Sequence, residues 1–295
     1  MEKSTVYFTK DISPTGLIKI YDALGVSLIG KVAVKISTGE PGGHNFLQPK
    51  LISPLVNKLN GTIVECCTAY KGRRLDPKEH WKTIKEHGFM DIAPCDIMDE
   101  DGEIKIKVSG GRHLHGYNIV GKNVANYDSM LMLSHFKGHP MGGFGGALKN
   151  MSIGVASTAG KAWLHSAGHT TDISKMWDYF NNQTEFLESM AEACQSVVDF
   201  YGSKNMAYIN VANRLSIDCD CNPHPAEPEM ADIGIFASIN PVALDQACYD
   251  AIINSNDPGK EKLVARMREK NAIHLVETAS ELGLGTREYD IISLD

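Results

Sequence analysis

Ser129-Met130-Leu131-Met132-Leu133-Ser134 is an apolar run of strand length, and it gives way at once to His135-Phe136-Lys137-Gly138-His139. The same arrangement recurs along the chain. Residues 31–37 run into Thr38-Gly39-Glu40, residues 62–64 into Glu65-Cys66-Cys67-Thr68, and residues 206–217 into Asp218-Cys219-Asp220-Cys221. In open α/β sheets ligands bind outside the carboxyl ends of the strands, so these four segments are expected to converge on one crevice.

Further strands are predicted at residues 6–9, 232–238 and 290–294. Helices are predicted at 49–60 and 77–88, each with proline near its start, and at 178–201. In the last, Phe186, Met190, Ala193, Val197 and Phe200 recur at helical spacing, and Gly202 follows as the stop. Residues 100–122, with Ile104, Ile106 and Val108 alternating, read as an antiparallel excursion ending in a glycine-rich loop. Alternating strands and helices give the fold class: α/β, a mostly parallel twisted sheet with helices on both faces. The 295 residues form one domain, open to division into lobes 1–125 and 126–295 around a central crevice.

Composition narrows the function. At 43% hydrophobic and 22% charged the chain is an ordinary globular protein. Its net charge is −7, and its densest basic stretch, Lys71-Gly72-Arg73-Arg74, is followed by Asp76 and Glu79, which argues against nucleic acid. No apolar run approaches the roughly 20 residues needed to cross a bilayer. The first residues lack a signal peptide's pattern. Seven cysteines without regular spacing suit a reducing cytoplasm rather than a disulfide framework. A small-molecule substrate or cofactor is the expected partner, and self-association is open.

The most distinctive stretch is residues 135–150, HFKGHPMGGFGGALKN. Gly142, Gly143, Gly145 and Gly146 let backbone approach a ligand closely, and successive exposed N–H groups can form an anion-binding nest with Lys149 and Asn150. A tight glycine turn flanked by solvated His and Lys is the plainer alternative. The stretch is neither a P-loop nor a dinucleotide fingerprint. Cys219 and Cys221, two apart, are placed to meet one ion, and thiolates favour zinc, iron, nickel or copper. Buried thiols beside a capping aspartate are the alternative. His165 and His169 are four apart, as on one helical face, although Gly168 between them weakens any helix. His113 and His115, Glu65-Cys66-Cys67 with Arg73 and Arg74, and Asp245 are weaker candidates. There is no G-x-S-x-G elbow, no H-E-x-x-H helix and no four-cysteine iron–sulfur spacing.

Taken together, Lys137-Gly138-His139-Pro140, Gly145-Gly146-Ala147-Leu148-Lys149-Asn150, Cys219-Asp220-Cys221 and residues 232–248 (DIGIFASINPVALDQAC) resemble the family known as domain of unknown function 362. The resemblance covers nearly the whole chain. Many members carry a ferredoxin-like cysteine insert, but here Lys161 is followed by Trp163, His165 and His169 without a cysteine cluster, so an iron–sulfur cluster is not expected. A fainter similarity is to the nickel-pincer lactate racemases. It implies His139 as proton-transferring base, Lys149 as covalent cofactor anchor and His165 as metal ligand. That family's Asp-x-Thr-Arg-Pro phosphate motif has no counterpart here.

The sequence therefore leads to an enzyme doing proton-transfer or redox chemistry on a small organic acid, with a metal or anionic-cofactor site at the sheet's carboxyl edge. His139, Lys149 and Lys137 are its candidate catalytic residues. His165, His169, Cys219 and Cys221 are candidate ligands for zinc, iron or nickel. A non-catalytic metal or cofactor carrier, or an interaction subunit of a redox system, remains the alternative.

Overall fold

Alternate residues of the apolar runs face opposite sides of one sheet. In the computed structural model, which describes residues 3–180 and 182–295, Val32, Val34, Leu131, Leu133, Ile209 and Val211 pack into one core layer. Their neighbours Ala33, Met130, Met132, Met206 and Tyr208 pack into the other. A parallel sheet covered on both faces needs this doubly apolar pattern.

The chain opens with β1 (Ser4–Thr9), α1 (Pro14–Ala23), β2 (Val32–Lys35), α2 (Pro49–Lys58), β3 (Thr62–Glu65), α3 (Pro77–Glu86) and β4 (Cys95–Ile97). The antiparallel pair β5 (Glu103–Lys107) and β6 (Tyr117–Gly121) is the expected excursion. Then come β7 (Ser129–His135), the small hairpin β8 (Lys137–His139) and β9 (Gly143–Gly145), and helices α4 (Ala147–Ser152), α5 (Thr158–His165) and α6 (Gln183–Tyr201). The remainder is β10 (Met206–Ala212), β11 (Gly234–Ser238), α7 (Pro241–Ile253), α8 (Glu261–Glu269), α9 (Ile273–Glu281) and β12 (Tyr289–Ser293).

The main sheet has the order β12-β1-β11-β10-β7-β2-β3-β4. β11 is antiparallel to both its neighbours, and the other pairings are parallel. α1, α2 and α3 cover one face; α4, α6, α7 and α9 cover the other. Strands from residues 1–125 and 126–295 interleave: β1 pairs with β11, and β2 with β7.

Helix starts follow local chemistry. Ser13, Asp76 and Asn240 each cap a helix by accepting amide N–H groups, and each precedes a proline. Three of the boundary shifts have a local cause. The strand predicted over 206–217 ends at Ala212, because Arg214 turns the chain with φ 45°. The helix predicted from residue 178 begins at Gln183, capped by Asn182, after a separate short turn Met176–Tyr179; Asn181, within the predicted span, lies outside the described residues. The helix predicted over 77–88 ends at Glu86, and Gly88 exits with φ 80°. Among the described residues no helix is long and apolar enough to cross a membrane.

Candidate functional site

β2 and β3 deliver Lys35 and Glu65 from their last positions to a cavity of about 180 Å³. Cys66, His139, Lys149, Asn150, Lys161, His165, Cys219 and Cys221 also line it, with Trp177 among its aromatic lining. Segments far apart in sequence therefore meet at the carboxyl edge of the sheet. Convergent polar groups in a small, mostly enclosed space are typical of a ligand site.

The thiols are carried on a loop after β10, and Asp220, the residue between them, pins that loop. Its carboxylate accepts from His135 Nδ1 at 2.8 Å and pairs with Lys137 Nζ at 2.9 Å, all three groups being buried. Burial would raise the Asp220 carboxyl, but His135 and Lys137 outweigh it and hold it far below the usual carboxylate range. Lys137 also donates to the His135 carbonyl at 3.1 Å and does not line the cavity. The structure therefore places Lys137, a candidate catalytic group from sequence, where its ammonium holds the cysteine loop.

Cys219, Cys221 and His139 each offer a ligand atom, and these atoms lie within 4.8 Å of one another. Their shared proton divides unevenly. The hydrogen bond from Cys221 favours the Cys219 thiolate against burial, helped by Lys149 and His139, so the Cys219 thiol is pushed well below its ordinary value. Cys221, facing that thiolate, is pushed up.

The two cavity histidines are held in opposite tautomers. His139 Nδ1 accepts the amide N–H groups of Gly142 at 2.9 Å and Met141 at 3.2 Å, so the proton of the neutral ring sits on Nε2. His165 Nδ1 lies 2.7 Å from the Lys161 carbonyl, which can only accept, so this ring is protonated on Nδ1 and keeps its Nε2 lone pair free. Burial, then the charge of Lys149, lowers the His139 pKa; burial brings His165 down to about 4 against the opposing carbonyl bond. Both rings are neutral near pH 7. His139 is a hydrogen-bond donor in this state, with no lone pair left to act as a base. His165 has one.

A charge network floors the cavity. Lys35 Nζ donates to Glu65 Oε2 at 2.7 Å, the Ile36 carbonyl at 2.6 Å and Asn150 Oδ1 at 3.1 Å. Arg74 donates to Glu40 at 2.7 Å, Glu65 at 3.3 Å and the Tyr70 hydroxyl at 2.8 Å. Burial pushes the Glu65 carboxyl up, but Lys35 and Arg74 bring it down to about 2. Lys35 and Lys161 are invisible to sequence reasoning as site residues: a lysine ending a strand and one on a helix look solvated until the topology closes over them. Arg73 does lie at the surface, paired with Glu86, whereas its neighbour Arg74 is buried.

Most other expected site residues fall elsewhere. Gly142, Gly143, Gly145 and Gly146 do not line the cavity. The N–H groups after them, of Ala147 and Leu148, are taken by the Asp245 carboxylate at 2.8 and 2.9 Å, so this protein anchors its own anion there. Asp245 accordingly bonds backbone. A Cβ at Gly146 would sit 2.5 Å from Asp245 Oδ1, which explains that glycine by close approach. Asn150 bridges β2 and β7, donating to the Lys35 carbonyl at 3.0 Å and Ser134 Oγ at 3.1 Å. His169 is exposed and stacks on Tyr179, because α5 ends at His165 and Ala167 and Gly168 take positive φ; it does not share a helical face with His165. His113 bonds Glu188 at 2.7 Å, and neither it nor His115 lines the cavity.

No curated protein matches the sequence. Similar solved structures include the lactate racemase apoprotein from Thermoanaerobacterium thermosaccharolyticum, with 16% identity over 70% of this chain and 50% of that one, at a TM-score of 0.43. A Thermotoga maritima protein solved by a structural genomics consortium has 13% identity over 91% of this chain and 58% of that one, also at 0.43. The chain spans about half the length of these structures. The family model described as Domain of unknown function (DUF362) matches residues 32–250, which takes in the strand ends, the glycine stretch, both cavity histidines and the cysteine loop, and the chain belongs to that family.

Proposed function

We propose that the cavity is the catalytic centre of an enzyme carrying out metal-assisted proton-transfer or redox chemistry on a small organic molecule. The observation that carries this reading is the state of the donors around one enclosed space. Two thiols lie together with one of them favoured as thiolate, and a neutral imidazole, His165, presents a lone pair to the same cavity. Metal-bound histidines characteristically donate their second ring N–H to a carbonyl or carboxylate, as His165 does to Lys161. Cys219 and Cys221, which lie with a His139 ring nitrogen within 4.8 Å of one another, would hold a thiophilic divalent ion such as zinc, iron or nickel, and His165, which lines the cavity outside that group, would complete the set by a side-chain movement. Bound there, the ion would supply Lewis-acid or redox chemistry. His139 fits less well as a ligand, since its Nδ1 is engaged by two amides and its Nε2 carries the proton. It is suited instead to donating that N–H to negative charge on the thiol side.

Cobalt loading of reduced, metal-stripped protein tests this. One Co²⁺ per chain with a thiolate-to-cobalt absorption band is expected. Cys219→Ser and Cys221→Ser should each abolish or weaken the band, His165→Ala should shift the ligand-field bands, and His139→Ala should keep the thiolate band. Absence of the band from the unaltered protein would refute the reading.

One observation favours a carrier instead. Cys219 and Cys221 also line an open cleft of about 600 Å³. Transfer of bound ion to a modest chelator within minutes would select the carrier. We place the protein in a reducing compartment such as the cytoplasm, supported by all seven cysteines being free thiols.

A further inference from the structure

We propose that Lys161 is the anchor for a carboxylate on the small molecule that occupies the cavity. The proposal rests on reading that cavity as a substrate site. It is carried by the accounting of buried charge. Lys35 spends its three ammonium protons on Glu65, Asn150 and the Ile36 carbonyl, and Arg74 is held by Glu40, Glu65 and Tyr70. Lys149 stands beside the thiol pair, whose charge it meets. Lys161 has no such counterpart. It is 7% exposed, it lines the cavity, and its Nζ bonds only the Ala156 carbonyl, at 2.5 Å. Among the described residues no carboxylate lies within ion-pairing distance of it.

A buried ammonium with two protons unspent and no anion is costly to fold, so its retention points to a charge supplied from outside. The chemistry around it selects a carboxylate over a phosphate. The adjoining helix start offers no amide nest: Ser157 takes the Gly160 N–H at 3.0 Å and Asp99 takes that of Thr158 at 3.1 Å. The glycine stretch that might have cradled phosphate is closed by Asp245. One ammonium without a counter-ion in about 180 Å³ suits a small monoanionic head. Lys161 and His165 line the same cavity, so a carboxylate seated on Lys161 would share it with the imidazole that keeps a free lone pair.

The experiment uses metal-free protein, so that it does not depend on the ion. Ligand-detected NMR would screen monocarboxylates of two to five carbons, with the matching primary amides and inorganic phosphate as controls. The unaltered protein is expected to bind a carboxylate in preference to its amide and to phosphate. Lys161→Met should weaken that binding about tenfold or more, and Lys161→Arg should restore part of it. With its unpaired charge removed, Lys161→Met should also melt at a temperature no lower than the unaltered protein. Preference for phosphate, no preference over the amide, or equal carboxylate binding by Lys161→Met would each overturn the proposal. So would a lowered melting temperature with binding intact, which would mark Lys161 as a cap on Ala156. Carboxylate binding that survives in a protein taking up no metal would remove the metal centre and leave this inference standing.

Discussion

Single residues here are used in two ways that their type alone does not reveal. Glu65 is the clearest case: one carboxylate receives both Lys35 and Arg74, and it also accepts the Thr38 amide at 3.0 Å. Replacing it by glutamine keeps the shape, strands the buried Lys35 without a counter-ion and leaves Arg74 with Glu40 as its one carboxylate. The expected loss is about 3–5 kcal/mol, measured by urea unfolding, because breaking a buried ion pair leaves its partner uncompensated. A loss within experimental error would mean that water reaches these groups. Histidines teach the same lesson. His139 and His165 look alike as sequence, yet hydrogen bonds to amides in one case and to a carbonyl in the other fix opposite tautomers. Sequence could nominate both rings but not say which keeps a lone pair, since that depends on a backbone group a few residues away.

At the scale of elements, the strand ends carried most of the legible information. Apolar runs at 31–37, 62–64 and 129–134 contain β2, β3 and β7 with only small shifts, and the change to polar chemistry marks the carboxyl edge where the cavity lies. The glycine stretch was less legible, because spacing shows that backbone can approach something without showing what. Here that something is Asp245, nearly a hundred residues away. α1 lies outside the predicted helices although Ser13-Pro14 carries the same start signal as Asp76-Pro77. Gly138 links two of these elements. A Cβ there would lie 2.3 Å from the Ile217 carbonyl oxygen, and its amide donates to the Ser216 carbonyl at 2.8 Å. Gly138→Ala should therefore push the cysteine loop away from β8 and weaken cobalt binding at the thiols, while the far-ultraviolet circular dichroism stays native. Unchanged affinity would show that the loop is positioned by Asp220 alone.

The whole molecule stores its electrostatic strain at one edge, and this sets its response to pH. His80 is lowered to about 3 by burial and by Arg74, and His165 to about 4 by burial. Below pH 6.5 the unfolded chain takes up protons that the folded rings refuse. Stability from these groups is thus complete above pH 6.5 and falls as pH drops toward 4 and 3. Glu65 adds a second stage. Its folded pKa of about 2 lies under the ordinary 4.5, so its contribution is present above pH 4.5 and is lost between there and about 2. Urea midpoints should begin to decline below pH 6.5 and decline more steeply below 4.5, and His80→Gln should flatten the first stage. A midpoint constant from pH 6.5 to 4.5 would contradict the burial of these rings.

If the thiols and the imidazole at the sheet's carboxyl edge form one metal centre, a loaded crystal will show it. The decisive experiment is anomalous scattering from anaerobically purified, zinc- or cobalt-loaded protein. One peak is expected in the cavity, about 2.3 Å from the sulfur of Cys219 and of Cys221, with His165 Nε2 completing the set. A peak bound elsewhere, or none in crystals whose cysteines are reduced, would contradict a metal centre at this edge.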